Sequence, residues 1–314
     1  MPDIVITEFM DTAAVDGLAK DFDTVYDPAL VDRPGDLLPL LAGARGLIVR
    51  NRTQVRGDLL AAGGDLRVVG RLGVGLDNID MDACAARGIT VCPATGANDA
   101  AVAEYVIATA MVLLRRAYDA APRVIAGEWP RQDCMGREIG GKVLGLLGFG
   151  GIARQTAVRA AALGMTVIAH DPFVAAGDGA WTTVAGGVGR RDLGALLAEA
   201  DVLSLHVPLT EGTRNVLDAA AVARMKPGAV LVDTARGGVV DEAAVVAALN
   251  AGHLGAAAFD VFAGEPVDAA AGARFAGVPN LILTPHIAGV TQESNVRVSS
   301  VTADNVRRVL EQGA

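Results

Sequence analysis

One stretch of this 314-residue chain, VLGLLGFGGIAR at residues 143–154, constrains the fold more than any other. Its first five residues form a continuous apolar run, which is typical of a buried parallel strand. Gly148 permits a tight turn, and Gly150 lets the backbone approach a pyrophosphate at the start of the following helix. Gly151 and Ile152 begin that helix. The stretch therefore predicts a strand, a glycine turn and a helix that bind a dinucleotide, with these four residues at the cofactor.

A second strand and an acid follow at the expected distance. The segment MTVIAHDP at residues 165–172 is an apolar run followed by Asp171, 23 residues after Gly148. This spacing is typical of an acid that accepts a hydrogen bond from the ribose 2′-OH of a dinucleotide. A lone glycine triplet would carry little weight in a chain with 38 glycines, but the ordered set is specific. Because a carboxylate repels a 2′-phosphate, we expect NAD rather than NADP.

The composition argues against several other classes of protein. Hydrophobic residues make up 52% of the chain, yet no apolar run reaches the roughly 18 residues of a membrane span. The net charge of −9 offers no basic surface for nucleic acid. The first residues lack the basic segment of a secretory signal, and Cys84, Cys92 and Cys134 are scattered without metal-ligand spacing. We expect a cytoplasmic protein with reduced thiols and no metal, and neither nucleic acid nor membrane as a partner.

Strand-like apolar runs alternate with helix-like segments, which indicates parallel sheets covered by helices. Besides the two strands above, the predicted strands are Ile4–Thr7, Gly46–Val49, Arg67–Val69, Asp201–Leu205, Ala229–Asp233, Ala256–Phe259 and Leu281–Leu283. The glycine-rich residues 175–189 are predicted to be a loop.

Two predicted helices define the domain organisation. The first, from about Ala97 to Arg116, is apolar nearly all round, so we expect it to be buried between domains or between the subunits of a homodimer. The second, Thr291–Glu311, is expected to return to the first domain. The prediction is an α/β fold of two Rossmann-like, doubly wound parallel-sheet domains, with the active site in the cleft between them. Residues 1–97 and 288–314 form the substrate (catalytic) domain, and residues 98–287 form the dinucleotide-binding domain, including the linking helix.

Six further motifs accompany the glycine fingerprint along the chain. They are GVGLDNID (73–80), HVPLTEGT (206–213), MKPG (225–228), DTARGGVVDE (233–242), FDVFAGEP (259–266) and TPHIAG (284–289). In this order they resemble the D-2-hydroxyacid dehydrogenase family, and within it the 3-phosphoglycerate dehydrogenase-like and (S)-sulfolactate dehydrogenase-like members. The resemblance implies an NAD-dependent enzyme that transfers a hydride between NAD(H) and a D-type 2-hydroxy acid or 2-oxo acid.

The resemblance places Arg236, Glu265 and His286 at the reaction, and their chemistry suits the reduction of a 2-oxo acid. A guanidinium binds a carboxylate through two hydrogen bonds and polarises the neighbouring carbonyl. Histidine exchanges a proton near neutral pH, and a carboxylate on its other ring nitrogen fixes the tautomer. Considered one at a time, each residue also has a simpler interpretation. Arg236 could be a surface charge on a turn, Glu265 a solvated acid in a loop, and His286 a histidine at the end of a strand without a catalytic role.

The resemblance also assigns residues to the cofactor. They are Val207, Pro208, Thr234, Ala235, Asp260 and Gly289, besides the glycine fingerprint and Asp171. Asp260 resembles the residue that holds the nicotinamide carboxamide. His206 begins a segment that lines the cofactor and is not expected to transfer protons. Asp233 departs from the many family members with asparagine there, and a buried carboxylate must find donors or take up a proton.

The substrate residues are expected in the first domain. Val74 and Gly75 resemble the turn that receives the substrate carboxylate, and Arg50 and Arg71 match positions that bind the C3 phosphate in phosphoglycerate dehydrogenases. Arg131 is a further candidate. These arginines, unless they are ordinary surface charges, favour a substrate with an anionic C3 group, either 3-sulfolactate or 3-phosphoglycerate. A D-type site takes sulfolactate as the (S) form, because sulfur reverses the naming priority without changing the geometry.

Two alternatives stay open. One is a glyoxylate/hydroxypyruvate reductase of the same family, and the other is a non-catalytic NAD(H)-sensing protein like the corepressors that share this fold. The retained proton donor at His286 disfavours the sensor. Asn51, where phosphoglycerate enzymes commonly have serine, argues slightly against a dedicated phosphoglycerate enzyme of serine synthesis.

Overall fold

The computed structural model describes residues 1–312 and divides into two compact α/β units. The first unit consists of Met1–Asn98 and the segment that begins at Val290, and the second unit consists of Asp99–Gly289. The predicted domain boundaries, at 97/98 and 287/288, fall within two residues of these divisions. The functions predicted for the two domains stay predictions.

The strands are short and their side chains are mostly buried. In chain order they are β1 (Ile4–Ile6), β2 (Thr24–Tyr26), β3 (Gly46–Val49), β4 (Val68–Arg71), β5 (Thr90–Pro93), β6 (Val143–Leu147), β7 (Thr166–His170), β8 (Gly189–Arg190), β9 (Val202–Leu205), β10 (Val230–Asp233), β11 (Ala256–Phe259) and β12 (Leu281–Leu283).

The helices fall between the strands, as the alternating pattern predicts. They are α1 (Thr12–Ala19), α2 (Pro34–Leu41), α3 (Gly57–Ala62), α4 (Met81–Ala86), α5 (Asp99–Arg115), α6 (Ala121–Ile125), α7 (Gly151–Ala162), α8 (Leu193–Glu199), α9 (Ala219–Ala223), α10 (Glu242–Asn250), α11 (Ala269–Gly272) and α12 (Gln292–Gln312). Short 3-10 turns occur at Leu30–Asp32, Tyr118–Ala120, Gly179–Thr182 and Ala273–Phe275. No helix within residues 1–312 combines the length and apolar character needed to cross a membrane.

The first unit is built on a parallel sheet in the order β2-β1-β3-β4-β5. Successive residues of β1 point to opposite faces, so Ile4 and Ile6 join one apolar cluster and Val5 joins the other. The helix α12 covers the first of these faces with Val306 and Leu310, which confirms that the chain returns to this unit. The strand order reverses between β1 and β3, and doubly wound sheets bind ligands beyond the carboxyl ends of the strands at such a point.

The second unit has a seven-stranded parallel sheet in the order β12-β11-β10-β9-β6-β7-β8. Helices cover both faces, because α5 and α7 pack in one apolar cluster and α8, α9 and α10 in the other. The strand order reverses between β6 and β9, so the glycine turn that follows β6 lies at the switch point. The two parallel sheets and their covering helices confirm the predicted fold class.

The packing of α5 corrects one expectation. Val106, Ala110, Leu113 and Leu114 are buried in the apolar cluster of the second unit, together with α7. Only isolated apolar residues of the helix, such as the 39% exposed Met111, face solvent. The expectation that α5 needs another domain or subunit to cover it is therefore wrong for most of its length.

The region predicted as a loop contains more structure than its composition indicates. Within residues 175–189, the 3-10 turn Gly179–Thr182 places Trp181 against Phe149, with ring centroids 4.9 Å apart. The strand β8 begins at Gly189 and adds an edge to the sheet beside β7. Sequence reasoning also missed β2 and β5, which are the two edge strands of the first unit.

Candidate active site

The three glycines of the turn between β6 and α7 have different structural surroundings. Gly148 has φ of +89°, and a Cβ there would lie 2.6 Å from the carbonyl oxygen of His206. A Cβ on Gly151 would lie 2.2 Å from a carboxylate oxygen of Asp99. Gly150 is different, because a Cβ there would meet no protein atom within 4 Å. The space at Gly150, at the N-terminus of the twelve-residue helix α7, fits an approaching pyrophosphate.

Asp171 connects the end of β7 to the glycine turn. One of its carboxylate oxygens accepts a hydrogen bond from the Phe149 amide at 2.8 Å, and the other accepts from the Phe173 amide at 2.9 Å. Each oxygen has a second lone pair for a further donor. Asp171 is only partly buried, so a ribose hydroxyl can reach it. Its predicted contact with the cofactor stays a prediction. Ile152, also predicted at the cofactor, is partly buried against the core at the start of α7.

The segment after β9 lies beside the glycine turn, since a Cβ on Gly148 would approach Val207 Cγ1 to 3.0 Å. Pro208, next along the chain, is exposed. His206 Nε2 lies 3.0 Å from Ser204 Oγ, and burial lowers the pKa of the His206 imidazole to about 4. A lowered pKa makes an imidazole a less suitable proton donor near neutral pH. The expectation that the segment after β9 lines the cofactor stays a prediction.

Buried polar groups follow β10. Asp233 is 2% exposed, and its Oδ1 accepts a hydrogen bond from the Ala235 amide at 2.9 Å. Burial raises the pKa of the Asp233 carboxyl to about 7, and the charges of Glu242 and Asp260 act in the same direction. Among the described residues, the buried hydroxyl Oγ1 of Thr234 has no hydrogen-bond partner. An unsatisfied buried hydroxyl at a strand end fits a bound polar ligand such as the dinucleotide.

Asp260 supports the segment that carries His286. It is 1% exposed, and its carboxylate accepts hydrogen bonds from Thr284 Oγ1 at 2.6 Å and from the amides of Ile287 and Ala288 at 2.8 Å each. Tyr105 OH, from α5, lies 2.6 Å from Thr284 Oγ1 and extends this network. The predicted contact of Asp260 with the nicotinamide carboxamide stays a prediction, as does the role of Gly289 at the end of the segment.

His286 has an uncommon backbone conformation and a fixed ring. Its φ of +56° lies in the left-handed region, which is costly for a residue other than glycine. Its amide donates a hydrogen bond to the Asp260 carbonyl at 2.8 Å, which helps to hold this conformation. Its Nδ1 lies 2.7 Å from Glu265 Oε2. Because the carboxylate accepts, we assign the proton to Nδ1, which leaves Nε2 for proton exchange.

Glu265 is held as an anion. Burial acts to raise the pKa of the Glu265 carboxyl, but hydrogen bonds from His286 and the Phe262 amide, with the charges of His286 and Arg236, outweigh it and lower the pKa. The Phe262 amide donates to Oε1 at 2.9 Å. Arg236 follows β10, Glu265 follows β11 and His286 follows β12, and these three strands are neighbours in the sheet. The structure therefore brings the three predicted catalytic residues to one edge.

The predicted substrate residues of the first unit lie at the carboxyl ends of β3 and β4. Arg71 is paired in register with Val49, which directly precedes Arg50. The Arg71 guanidinium covers the next turn, because its Nη1 donates to the Leu72 carbonyl at 2.8 Å and would lie 1.7 Å from a Cβ on Gly73. Val74 is 36% exposed in this turn, and Gly75 is partly buried.

Arg131 belongs to the second unit, on the exposed segment after α6. Its predicted contact with the substrate stays a prediction. Sequence reasoning missed Glu8, which is 4% exposed and directly follows β1 and Thr7. An acid just after a buried strand is a weak signal, because strand-end acids are often solvated. No group of three or more His, Cys, Asp or Glu residues in the described chain is arranged to hold a metal ion.

The second unit has a glycine turn at the point where the order of its strands reverses, and Arg236, Glu265 and His286 follow three neighbouring strands of the same sheet. Together these features are typical of a dehydrogenase that uses a dinucleotide. The family model "D-isomer specific 2-hydroxyacid dehydrogenase, NAD binding domain" matches residues 107–288. The chain belongs to this family, and its cofactor is NAD. It is an NAD-dependent oxidoreductase that interconverts a 2-hydroxy acid and a 2-oxo acid.

Particular relatives are similar over nearly the whole chain. The (S)-sulfolactate dehydrogenase of Chromohalobacter salexigens is 57% identical over 310 residues, which cover 99% of each protein. A D-3-phosphoglycerate dehydrogenase of Synechocystis is 34% identical over 312 residues, but the match covers 54% of that longer protein. A crystal structure of Aquifex aeolicus D-lactate dehydrogenase, complexed with NAD and lactic acid, aligns with a TM-score of 0.84 at 26% identity, over 98% of this chain and 96% of that chain.

Proposed function

We propose that the substrate carries an anionic C3 group and is (S)-3-sulfolactate, which the protein interconverts with sulfopyruvate. The observation that carries the anionic group is the pair Arg50 and Arg71 at the ends of adjacent strands. The choice of sulfonate is supported by the 57% identity to an (S)-sulfolactate dehydrogenase. 3-Phosphoglycerate is the second candidate, because the same two arginines suit a phosphate.

In the reduction direction, NADH would, when bound, supply a hydride for C2 of the 2-oxo acid. Arg236 binds the substrate carboxylate through its planar guanidinium and polarises the C2 carbonyl. His286 Nε2 donates a proton to the carbonyl oxygen, which becomes the hydroxyl. Glu265 accepts the hydrogen bond from Nδ1 and stabilises the protonated ring before the transfer.

The cofactor is held by the turn between β6 and α7 and by the strand ends beside it. In this proposal, Gly148, Gly150, Gly151 and Ile152 form the pyrophosphate site, and Asp171 accepts a hydrogen bond from the ribose. The residues that would hold the nicotinamide end are Val207, Pro208, Thr234, Ala235, Asp260 and Gly289. Asp171 disfavours the 2′-phosphate of NADP because two negative charges would meet there.

Removing one arginine at a time tests the anionic C3 group. We expect Arg50→Ala and Arg71→Ala each to lower kcat/KM for sulfopyruvate by about 100-fold, since a charged hydrogen-bonding partner is lost. Glyoxylate has no C3, so its kcat/KM should change by less than about 3-fold. The matched control is Arg52→Ala, because the exposed Arg52 already pairs with Asp32. An equal loss on sulfopyruvate and glyoxylate would contradict the proposal.

We also propose a homodimer in the cytoplasm. The segment after α5 exposes large apolar side chains, among them Tyr118 (72%), Ile125 (87%), Trp129 (78%) and Met135 (76%). Several exposed large apolar side chains along one segment are typical of a surface covered by another protein, and a second copy of this chain is one such protein. The three cysteines are free thiols, which suits a reducing compartment. The net charge of −9 disfavours nucleic acid as a partner.

A further inference from the structure

Glu8 is a buried carboxylate beside the arginines that we propose for the C3 group. It is 4% exposed and follows β1. Its oxygens accept hydrogen bonds from three backbone amides, those of Arg50 at 2.9 Å, Arg52 at 3.1 Å and Thr53 at 3.0 Å. The three N–H groups occupy acceptor positions on both oxygens of the carboxylate. Glu8 therefore places a negative charge under the turn that carries Arg50.

The Arg50 side chain is held on more than one side. Its Nη2 donates a hydrogen bond to Asn295 Oδ1 at 2.8 Å, and its guanidinium lies 6.0 Å from the centre of the exposed Phe9 ring. Burial lowers the pKa of the Arg50 guanidinium, and the charge of Glu8 acts in the opposite direction. The two charges therefore interact in a partly buried environment, where solvent screens them less than at the surface.

The topology of the first unit gathers these charges at one place. Glu8 follows β1, Arg50 follows β3 and Arg71 ends β4, and the three strands are neighbours in a parallel sheet. All three residues lie at the carboxyl edge, and Glu8 and Arg50 flank the point where the strand order reverses. Arg52, on the same turn, is paired with the exposed Asp32. Arg50, Arg71 and Glu8 together supply a net charge of one positive unit.

We propose that Glu8 determines specificity, by lowering the positive charge of the C3-anion site so that it favours a singly charged sulfonate over a doubly charged phosphate. The inference rests on the proposed function. Near neutral pH a phosphate ester carries between one and two negative charges and approaches two above its second ionisation, whereas a sulfonate carries one. Glu8 repels the additional charge of the phosphate. It acts through the field around Arg50 and is not proposed to touch the substrate.

Two substitutions of Glu8 separate its charge from its structural role. Glu8→Gln keeps the length of the side chain and removes the charge, whereas Glu8→Asp keeps the charge. The measurement is kcat/KM with NADH for sulfopyruvate, phosphohydroxypyruvate and glyoxylate. We expect Glu8→Gln to shift the ratio of sulfopyruvate to phosphohydroxypyruvate by about 10-fold towards the phosphate. The glyoxylate value should stay within about 3-fold, because glyoxylate has no C3 group.

Control variants make the result specific to this charge. Glu8→Asp should keep the substrate ratio within about 3-fold of the wild type. Asp32→Asn should do the same, because it removes a carboxylate that is exposed and screened by solvent. A ratio that is unchanged in Glu8→Gln, or that changes equally in Asp32→Asn, would overturn the proposal. A purely structural role would lower kcat/KM for all three substrates together.

The wild-type enzyme provides a second measurement if Glu8→Gln does not fold. The phosphate dianion of phosphohydroxypyruvate takes up one proton at about pH 6 and then carries a single negative charge. The sulfonate keeps its one negative charge over this range, and Arg50 and Arg71 keep their positive charges. We expect the ratio of sulfopyruvate to phosphohydroxypyruvate to fall by about 5-fold or more between about pH 7.5 and about pH 5.5. A constant or rising ratio would overturn the inference. If neither substrate exceeds glyoxylate, the proposed function fails, and the inference fails with it.

Discussion

At the scale of single residues, two carboxylates share the support of His286. Glu265 Oε2 lies 2.7 Å from Nδ1 of the ring. The Asp260 carboxylate accepts hydrogen bonds from the Thr284 hydroxyl before His286 and from the Ile287 and Ala288 amides after it, around a residue with φ of +56°. The ring nitrogen and the main chain are therefore fixed by different acids. This arrangement keeps Nε2 in one orientation, which a proton donor requires.

The role proposed for His286 predicts a loss of turnover without a loss of cofactor binding. We expect His286→Gln to lower kcat by about 100-fold or more, and Glu265→Gln to lower it by about 10-fold, because the proton donor or its partner is removed. NADH affinity, measured by fluorescence titration, should change by less than about 3-fold. His253→Gln is the control, since His253 is a partly buried histidine whose Nε2 lies 3.1 Å from the Val222 carbonyl oxygen and which is given no role in the reaction. Unchanged turnover in His286→Gln would refute the role.

Asp233 predicts a dependence of stability on pH. Its carboxyl pKa of about 7 in the folded protein exceeds the ordinary value of 3.8, so the folded state binds more protons than the unfolded state between these values. The contribution to stability is complete below about pH 4 and is lost as the pH rises through about 7. The cause is burial of the charge, with Glu242 and Asp260 nearby.

The variant Asp233→Asn should remove this dependence. We expect the free energy of unfolding of the variant, minus that of the wild type, to increase by on the order of 2 kcal/mol between about pH 5 and about pH 8, because the wild type loses the contribution of Asp233 over this range. Urea denaturation at the two pH values measures the difference. A difference that does not change with pH would contradict a proton on Asp233. The Asn side chain retains an acceptor for the Ala235 amide, so that hydrogen bond is not the variable.

At the scale of elements, the turn between β6 and α7 contains two glycines with different roles: Gly148 is needed for folding, and Gly150 is proposed to leave room for the cofactor. Gly148→Ala forces a Cβ to within 2.6 Å of the His206 carbonyl at a positive φ, so we expect a loss of roughly 2 kcal/mol or more and a lower Tm. Gly150→Ala meets open space, so its Tm without NADH should be nearly unchanged. Its Kd for NADH should rise by about 10-fold, because the Cβ occupies the path of the pyrophosphate. Wild-type NADH affinity in Gly150→Ala would contradict this assignment.

Some strands of the fold could be predicted from the sequence and others could not. Continuous apolar runs located β3, β11 and β12 at their observed bounds, because buried parallel strands need such runs. The edge strand β8 was missed, since a strand of two residues has no periodicity to read. The contact of Trp181 with Phe149 was missed as well, because it joins residues that are far apart in the sequence.

Only part of the candidate site could likewise be predicted from the sequence. The positions of Arg236, Glu265 and His286 at strand ends could be predicted from motifs that lie close to apolar runs. The three amides around Glu8 and the hydrogen bonds of Asp260 could not, because they are long-range contacts that exist only in the folded chain. A buried acid with such partners cannot be distinguished by sequence from a solvated loop acid.

At the scale of the whole molecule, the proposed homodimer predicts a mass of twice 32.0 kDa by light scattering. The variant Ile125→Glu places a charge on the exposed apolar segment after α5, so we expect it to weaken association by about 10-fold or more. Val158→Glu is the control, because Val158 is 44% exposed on α7, outside that segment. A dilute wild-type protein that is monomeric and fully active would contradict the dimer.

We propose above all that this NAD-dependent enzyme acts on a 2-hydroxy acid with an anionic C3 group, and that this group is a sulfonate. The most direct measurement is NADH oxidation with a panel of 2-oxo acids that differ at C3, namely sulfopyruvate, phosphohydroxypyruvate, pyruvate and glyoxylate. We predict that kcat/KM for sulfopyruvate exceeds that of each other acid by about 10-fold or more. A value for phosphohydroxypyruvate, glyoxylate or pyruvate that equals or exceeds the value for sulfopyruvate would contradict this proposal.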